Sequence, residues 1–405
     1  MLLIVLIYID NIESFPEILS YLWKMIFLSF PIVYFLIKLY GYVQIFIFVL
    51  LLCSLKLIFN SEFGDGFTMN ASESLKLIVI PILAIFIGTY PRQFSHDKLK
   101  KKLYSHKHNL IWFILILLSS NVLFLLNVFS QLGMIKDLHD FGLHMYPLNG
   151  IFNHVSISSK VFSLVGIIVI FSREFIIENY NKIIYNYLFT ISGISVLFAF
   201  TRTGWIIFLF ALIYYGITHS HFRPLIFSLV IFFFSLIIIP DLGEGIKNKL
   251  LNTPKTAGNI EEINKITSGR IGLYKASYEI FNDLTIIEKL IGIGKKETIN
   301  RMYKMLGNTA VPHNRFIEIL LYGGIINLLL FLAAIIYLAC FSFNTDIDVE
   351  TQLVRVIFCV YLISLFPSHG LGLYGNALFG YVLGLKILKN KIINNESINI
   401  TSSPN

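Results

Sequence analysis

The sequence predicts an all-α polytopic membrane protein, and three observations predict it. The first is composition. Of 405 residues, 56% are hydrophobic and only 14% charged, with a mean hydropathy of +0.74. Soluble domains carry about 25% charged residues, and a soluble core of this size has no room for so many apolar stretches. The second is the recurrence of apolar runs close to the roughly 20 residues that cross a bilayer as a helix. The third is that lysine and arginine concentrate in alternate connecting segments, as cytoplasmic loops do.

Taken in order, the runs place spans near 18–38, 42–59, 74–91, 109–130, 155–173, 183–200, 203–219, 222–240, 314–342, 353–367 and 371–389. Residues 1–9 are apolar but too short for a full span, and Asp10, Glu13 and Glu17 end the run sharply. They lack the basic start and small-residue cleavage site of a signal peptide, so the expected total is about 11–12 transmembrane helices.

Orientation follows from the short loops. Segment 92–108 holds Arg92, Lys98, Lys100, Lys101, Lys102 and Lys107. It is read as cytoplasmic. Alternation then puts 173–182, 219–223 and the tail bearing Lys386, Lys389 and Lys391 on the same side. The loop 60–74 falls outside and carries Glu62, Asp65 and Glu73 without a basic residue. The organisation expected is therefore helices with short loops over 1–240 and a large outer loop over 241–313. C-terminal helices over 314–393 and a disordered polar tail over 394–405 complete it.

The loop 241–313 departs from the composition around it. Ser268 is a candidate cap for a helix over 269–284, with Ile271, Tyr274, Tyr278 and Phe281 along one face. A second short helix is expected over 296–306. Between them, Ile291-Gly292-Ile293-Gly294 reads as a tight turn; a GxG this short is a weak phosphate-loop signal.

Several function classes are excluded or left without support. Cys53, Cys340 and Cys359 lie inside apolar runs, where they act as small hydrophobes and form neither a disulfide framework nor a CxxC metal site. The net charge of +8 reflects cytoplasmic loop lysines and arginines and implies no nucleic-acid partner. Asp346-Ile347-Asp348 resembles a DxD metal motif but falls on the cytoplasmic side, and no metal site is assigned.

Three features share the outer face. Thr201-Arg202-Thr203-Gly204-Trp205 fills a very short turn between two spans, so Arg202 either snorkels at a helix end or is a cation fixed at the rim. Ser268-Gly269-Arg270 opens the loop helix. Val311-Pro312-His313-Asn314-Arg315-Phe316-Ile317-Glu318 meets the outer end of span 314–342, and Glu318 lies about one turn inside. A carboxylate there is costly unless it is paired or functional. Together these supply arginines for a phosphate and a histidine for proton transfer near neutral pH.

These residues resemble the O-antigen polymerase and O-antigen ligase superfamily of bacterial envelope enzymes. The resemblance covers the hydropathy plan, Thr201-Arg202-Thr203-Gly204, Ser268-Gly269-Arg270, the Ile291–Gly294 turn, and His313-Asn314 followed by Glu318 and Gly323-Gly324. It implies a GT-C-like glycosyltransferase of the bacterial inner membrane in lipopolysaccharide or polysaccharide biosynthesis. The donor implied is an undecaprenyl-pyrophosphate-linked oligosaccharide presented at the periplasmic face, used without a metal or other cofactor. By the same resemblance Arg202 and Arg270 hold the pyrophosphate, and His313 matches the histidine after the large loop. Gly324 stands where the ligase pattern has a glycine, but Asn327 departs where that pattern has Gly, Thr or Tyr.

The function expected is an O-antigen or capsular polysaccharide polymerase that extends a lipid-linked repeat unit. The alternative is a ligase that transfers glycan to lipid A core. His313, Arg270 and Glu318 are the expected catalytic residues, with Arg301 and Arg315 as further phosphate ligands beside Arg202 and Arg270. Glu318 either orients His313 or serves as the base itself. Chain-length regulator and flippase proteins are the partners this reading brings with it, besides the lipid bilayer. A lipid-linked sugar transporter is the second alternative; Pro31, Pro81 and Gly166 interrupt spans, but no pairing of halves is visible.

Overall fold

The structure is a computed structural model, and it describes residues 65–88, 96–125, 148, 152, 155–199, 201–220, 222–238, 270–307, 310–343, 348–366 and 370–401. Every regular element among them is an α-helix. In chain order these are α1 (Asp65–Gly88), α2 (His96–Leu125), α3 (Val155–Phe171), α4 (Arg173–Asn179), α5 (Lys182–Phe198), α6 (Arg202–His219) and α7 (Arg223–Ile238). After the large loop come α8 (Arg270–Asp283), α9 (Ile286–Ile291), α10 (Gly294–Leu306), α11 (Arg315–Ser342), α12 (Val349–Leu365) and α13 (Gly372–Thr401). The expectations for spans 18–38 and 42–59, for residues 1–9, and for Ser268 as a cap lie outside the described residues.

The chain is all-α. Among the described residues, α11 is the one helix both long and apolar enough to cross a membrane by length and composition, and α3 and α5 are shorter apolar helices. α3 is the hub. It is buried from Ser158 to Phe171, its last two turns apolar on all sides as a buried helix requires, with α5, α6, α12 and α13 packed around it. Outward, α6 exposes Ile206, Leu209, Ile213 and Ile217, and α11 exposes Ile326, Leu329 and Ile336. Stripes of this kind fit a lipid surface better than water.

Among the described residues, α1 and α13 form the most extensive helix pair. Gly380 and Gly384 are four residues apart on one face of α13. A Cβ on Gly380 would stand 2.5 Å from the Ile80 carbonyl oxygen, and one on Gly384 2.7 Å from Ile87 Cβ. Small residues at this spacing let two backbones approach, which is how apolar helices associate without a hydrophobic driving force.

Two elements run longer than the sequence pattern indicated. α2 begins at His96, inside the basic segment, and α13 continues to Thr401, so the tail expected to be disordered from 394 is helical to that point. One packing contact supports both extensions: Leu99 of α2 is buried against Leu388 and Ile392 of α13. The loop helices are placed nearly as expected, but the buried face of α8 is Ala276, Ser277 and Ile280, while Ile271 and Tyr278 are exposed. The expected Ile271–Tyr274–Tyr278–Phe281 stripe is thus not the core face. α9 was not anticipated; it is too short to show a helical period.

Charges sort to the two ends of the bundle. One end gathers Glu73, Lys76, Lys160, Arg202, Arg270, Lys295, Arg315 and Glu318. The other joins Lys107, Asp348, Glu350 and Lys389: Lys107 pairs with Glu350, and Lys389 lies 2.5 Å from Glu350 and 3.2 Å from Asp348. Asp348 also caps α12 through the Thr351 amide at 2.9 Å. The aspartate of the DxD-like sequence is therefore a helix cap inside an ion cluster.

Candidate functional site

The site begins with the turn between α5 and α6. Thr201 is the N-cap of α6, its hydroxyl accepting the Gly204 amide at 3.3 Å, and it also contacts the Ser159 hydroxyl. Gly204 allows α3 to come close, since a Cβ there would lie 2.8 Å from Ser159 Cβ, and its carbonyl accepts Ser163 Oγ at 3.0 Å. The Trp205 indole donates to the Val196 and Leu197 carbonyls at 3.2 and 3.3 Å, closing the turn onto α5. Arg202 thus projects from a backbone held on both sides, half-buried at the first position of a helix. Helix N-termini favour anions.

Arg270 opens α8 and is half-buried. It lies near enough to Arg202 for the two guanidinium charges to act on each other. Arg270 also acts on Lys160 of α3, as do Lys76 and Glu318. Lys160 is buried, and its ammonium donates to the Gly370 carbonyl at 2.7 Å, next to the start of α13. Three basic side chains from distant parts of the chain, Arg202, Arg270 and the buried Lys160, therefore converge at one end of the bundle.

The third sequence-predicted piece is built differently from the first two. Asn314 is the N-cap of α11, its side-chain oxygen accepting the amides of Phe316 at 3.0 Å and Ile317 at 3.3 Å. Its role in the His-Asn pair is to start the helix. His313, one residue earlier, takes φ 51°, a left-handed conformation uncommon for residues with a Cβ although histidine is among those that visit it more often. Its side chain is exposed at the same end.

Arg315 and Glu318 are buried, at 2% and 0% exposure. Arg315 pairs with Glu73 of α1 and donates to Glu318 at 3.3 Å. Glu73 also holds Lys76 at 2.7 Å and Lys295 of α10 at 3.0 Å. Arg315 was expected to bind phosphate; the structure engages it with two carboxylates inside the protein. Glu318 belongs to the same network, which resolves the cost of a carboxylate at that depth. Arg301, the other expected phosphate ligand, forms ion pairs with Glu297 at 2.8 Å and Glu288 at 3.2 Å between α10 and α9. The structure thus brings together Arg202 and Arg270, adds Lys160, and assigns Arg315, Arg301 and Glu318 to ion pairs that fasten the loop and helices.

The glycine motifs explain one another. Gly324 interrupts α11 with φ 74° and ψ −177°. The Ile291–Gly294 turn docks on that break: Ile293 N donates to the Leu321 carbonyl at 2.9 Å. Gly292, at φ 82°, sits where a Cβ would stand 2.5 Å from both Gly324 N and the Tyr322 carbonyl oxygen. The turn is a structural plug between loop and helix, as the plain-turn reading held.

Fold and site together define an all-α protein that fits a membrane and gathers fixed cations at one end of its bundle. Residues 187–332 match the family model described as O-antigen ligase, in agreement with the O-antigen polymerase and ligase superfamily that the motifs resemble. That family is associated with glycosyltransferase-like O-antigen ligase and polymerase activity. No curated protein and no solved structure matches the chain. The match spans just over a third of the chain. It contains every sequence-predicted site residue, whereas Glu73, Lys76 and Lys160 lie before it. Those three were missed because a single lysine in an apolar run, or a carboxylate at a loop edge, reads as snorkelling or solvation until a partner is seen.

Proposed function

We propose that the protein is a polysaccharide polymerase of the bacterial inner membrane. In this reading it transfers a glycan from undecaprenyl pyrophosphate to a lipid-linked repeat unit at the periplasmic face. The single observation that carries the reading is the juxtaposition of Arg202 and Arg270, with Lys160 behind them. Like charges held together are costly, and an anion between them removes that cost. A pyrophosphate is the anion a membrane-borne glycosyl donor offers.

The apolar part of such a donor also has a place. A cavity of about 260 Å³ lies among α5, α6 and α7, lined by Phe189, Val196, Leu197, Trp205, Phe208 and Leu225. Trp205, in its lining, lies about one helical turn from Arg202. A polyprenyl chain in this groove sets its pyrophosphate at the arginines.

In the reaction, an acceptor hydroxyl attacks the anomeric carbon of the donor's first sugar. The bond from that carbon to the pyrophosphate oxygen breaks, and lipid pyrophosphate leaves with the electron pair. His313 takes the hydroxyl proton, and Arg202 and Arg270 stabilise the charge that gathers on the leaving group. Glu318 acts at one remove, through the ion pair that holds Arg315 and the start of α11. The GT-C-like arrangement, the full set of about 11–12 spans, and the chain-length regulator and flippase partners belong to the same reading. The second reading is ligation to lipid A core, the activity that the matched family model's description names.

Deleting the gene and resolving the surface polysaccharide on a gel separates the readings. Single repeats on core with the ladder gone are expected for a polymerase. Bare core with polymer left on the lipid carrier indicates the ligase. An unchanged ladder rejects both.

A further inference from the structure

α9 has a composition unsuited to a solvated loop. Its capping box, formed by Thr285 and Glu288, and the ion pair from Glu288 to Arg301 occupy one side. The other side shows Ile286, Ile287, Leu290 and Ile291, exposed at 79%, 68%, 43% and 41%. Four of the six residues of the helix are thus large, apolar and uncovered. A solvated loop helix of this length normally turns such residues inward.

The position of α9 supplies the reason. It packs on α11, and the turn that follows it docks on the break at Gly324. Gly324 is about 14 Å along the helix from Arg315 at 1.5 Å per residue. Counted from Ser342 at the other end, the roughly 20 residues of a hydrocarbon span reach to the same Gly323-Gly324 pair. The break thus stands one hydrocarbon span from the far end of α11. Just past it, Ile326 and Leu329 are exposed at 42% and 60% on the helix that α9 packs against.

We propose that α9 is an interfacial membrane helix. It lies in the plane of the leaflet at the Arg202–His313 end, with Ile286, Ile287, Leu290 and Ile291 among phospholipid acyl chains and Glu288 at headgroup level. Short helices with one apolar and one charged side seat themselves at this boundary. The large loop then rests on the bilayer through α9, on α11 through the Gly292 turn, and on α1 through the Lys295–Glu73 pair. This inference rests on the chain lying in a membrane and is independent of the reaction it catalyses.

The test is collision accessibility of spin labels on the full chain in phospholipid nanodiscs. Cys53, Cys340 and Cys359 are first replaced by serine, and one cysteine is introduced at Ile287→Cys or Leu290→Cys. Leu329→Cys serves as the lipid-facing reference and Lys296→Cys, exposed on α10, as the aqueous one. The labels at 287 and 290 are expected to favour oxygen over a water-soluble nickel chelate, as the label at 329 does. A profile matching that at 296 overturns the proposal. So does low access to both reagents, which marks cover by a second copy or another protein, and so does an aqueous profile at 329. The polysaccharide ladder of the same variants reports the reaction separately, so its loss leaves this inference standing.

Discussion

At the scale of single residues, Arg270 and His313, proposed to touch the donor and acceptor, differ in setting from the buried Arg315 ion pairs with Glu73 and Glu318. Arg270→Ala and His313→Ala are expected to abolish or strongly reduce glycan transfer at normal expression and unchanged melting temperature. For Arg270 the loss should be about 10²–10³-fold, the usual cost of removing a fixed donor to a developing anion. Transfer measured with purified protein and lipid-linked substrate checks this. Glu73→Ala is expected to act the other way, through stability. It leaves Arg315 buried without its main partner, which costs about 3–5 kcal/mol and lowers the thermal midpoint in detergent. Lys76→Ala, which removes a half-exposed partner of the same carboxylate, should cost clearly less. Equal effects from the two would mean that the network does not carry the load assigned to it.

At the scale of elements, the Gly292–Gly324 contact is the most demanding. Both residues take left-handed φ and both meet backbone where a Cβ would stand. Gly324→Ala or Gly292→Ala is therefore expected to release the α9–α10 segment, read as faster cleavage of the loop by protease than in the parent protein. Gly307→Ala is the control, because a Cβ there meets nothing within 4 Å although φ is 72°. Much at this level was legible beforehand. The apolar runs located α5, α6, α7 and α11 to within a few residues, because a long apolar helix writes its length directly into the sequence. The turn over 291–294 was legible from its glycines. The kink in α11 was not, because a Gly-Gly pair in an apolar run reads equally as a packing face. The α8 core face was misjudged because tyrosines at helical spacing look buried, yet Tyr274 reaches out to donate to the Phe366 carbonyl at 3.2 Å. The Gly380–Gly384 spacing carried the α1–α13 contact, but spacing names no partner.

At the scale of the molecule, the two charged ends differ in pH response. Burial raises the Asp348 carboxyl, but the Thr351 amide and Lys389 outweigh it, so the group sits below the ordinary aspartate range. Glu350 is also held below its ordinary value, burial being outweighed by Lys107 and Lys389. Folded values lowered in this way give stability that is present above the ordinary carboxylate pKa and lost as pH falls through the folded values, below about pH 4. Thermal melting in detergent should thus be flat from pH 7 to 5 and fall steeply below 4. Glu350→Gln should melt lower at pH 7 and lose less on acidification. Of the candidate site, the sequence disclosed Arg202, Arg270 and His313, whose local motifs are self-contained. It did not disclose Lys160 or Glu73, because their meaning lies in contacts across 210 and 242 residues of chain. The contact between the Gly292 turn and the broken helix also orders the molecule in time. The ribosome makes the turn before the helix that receives it, and chains grow from the N-terminus. In the proposed orientation the loop has already crossed the bilayer, undocked, when α11 begins to insert, and its turn finds its seat only once that helix is made.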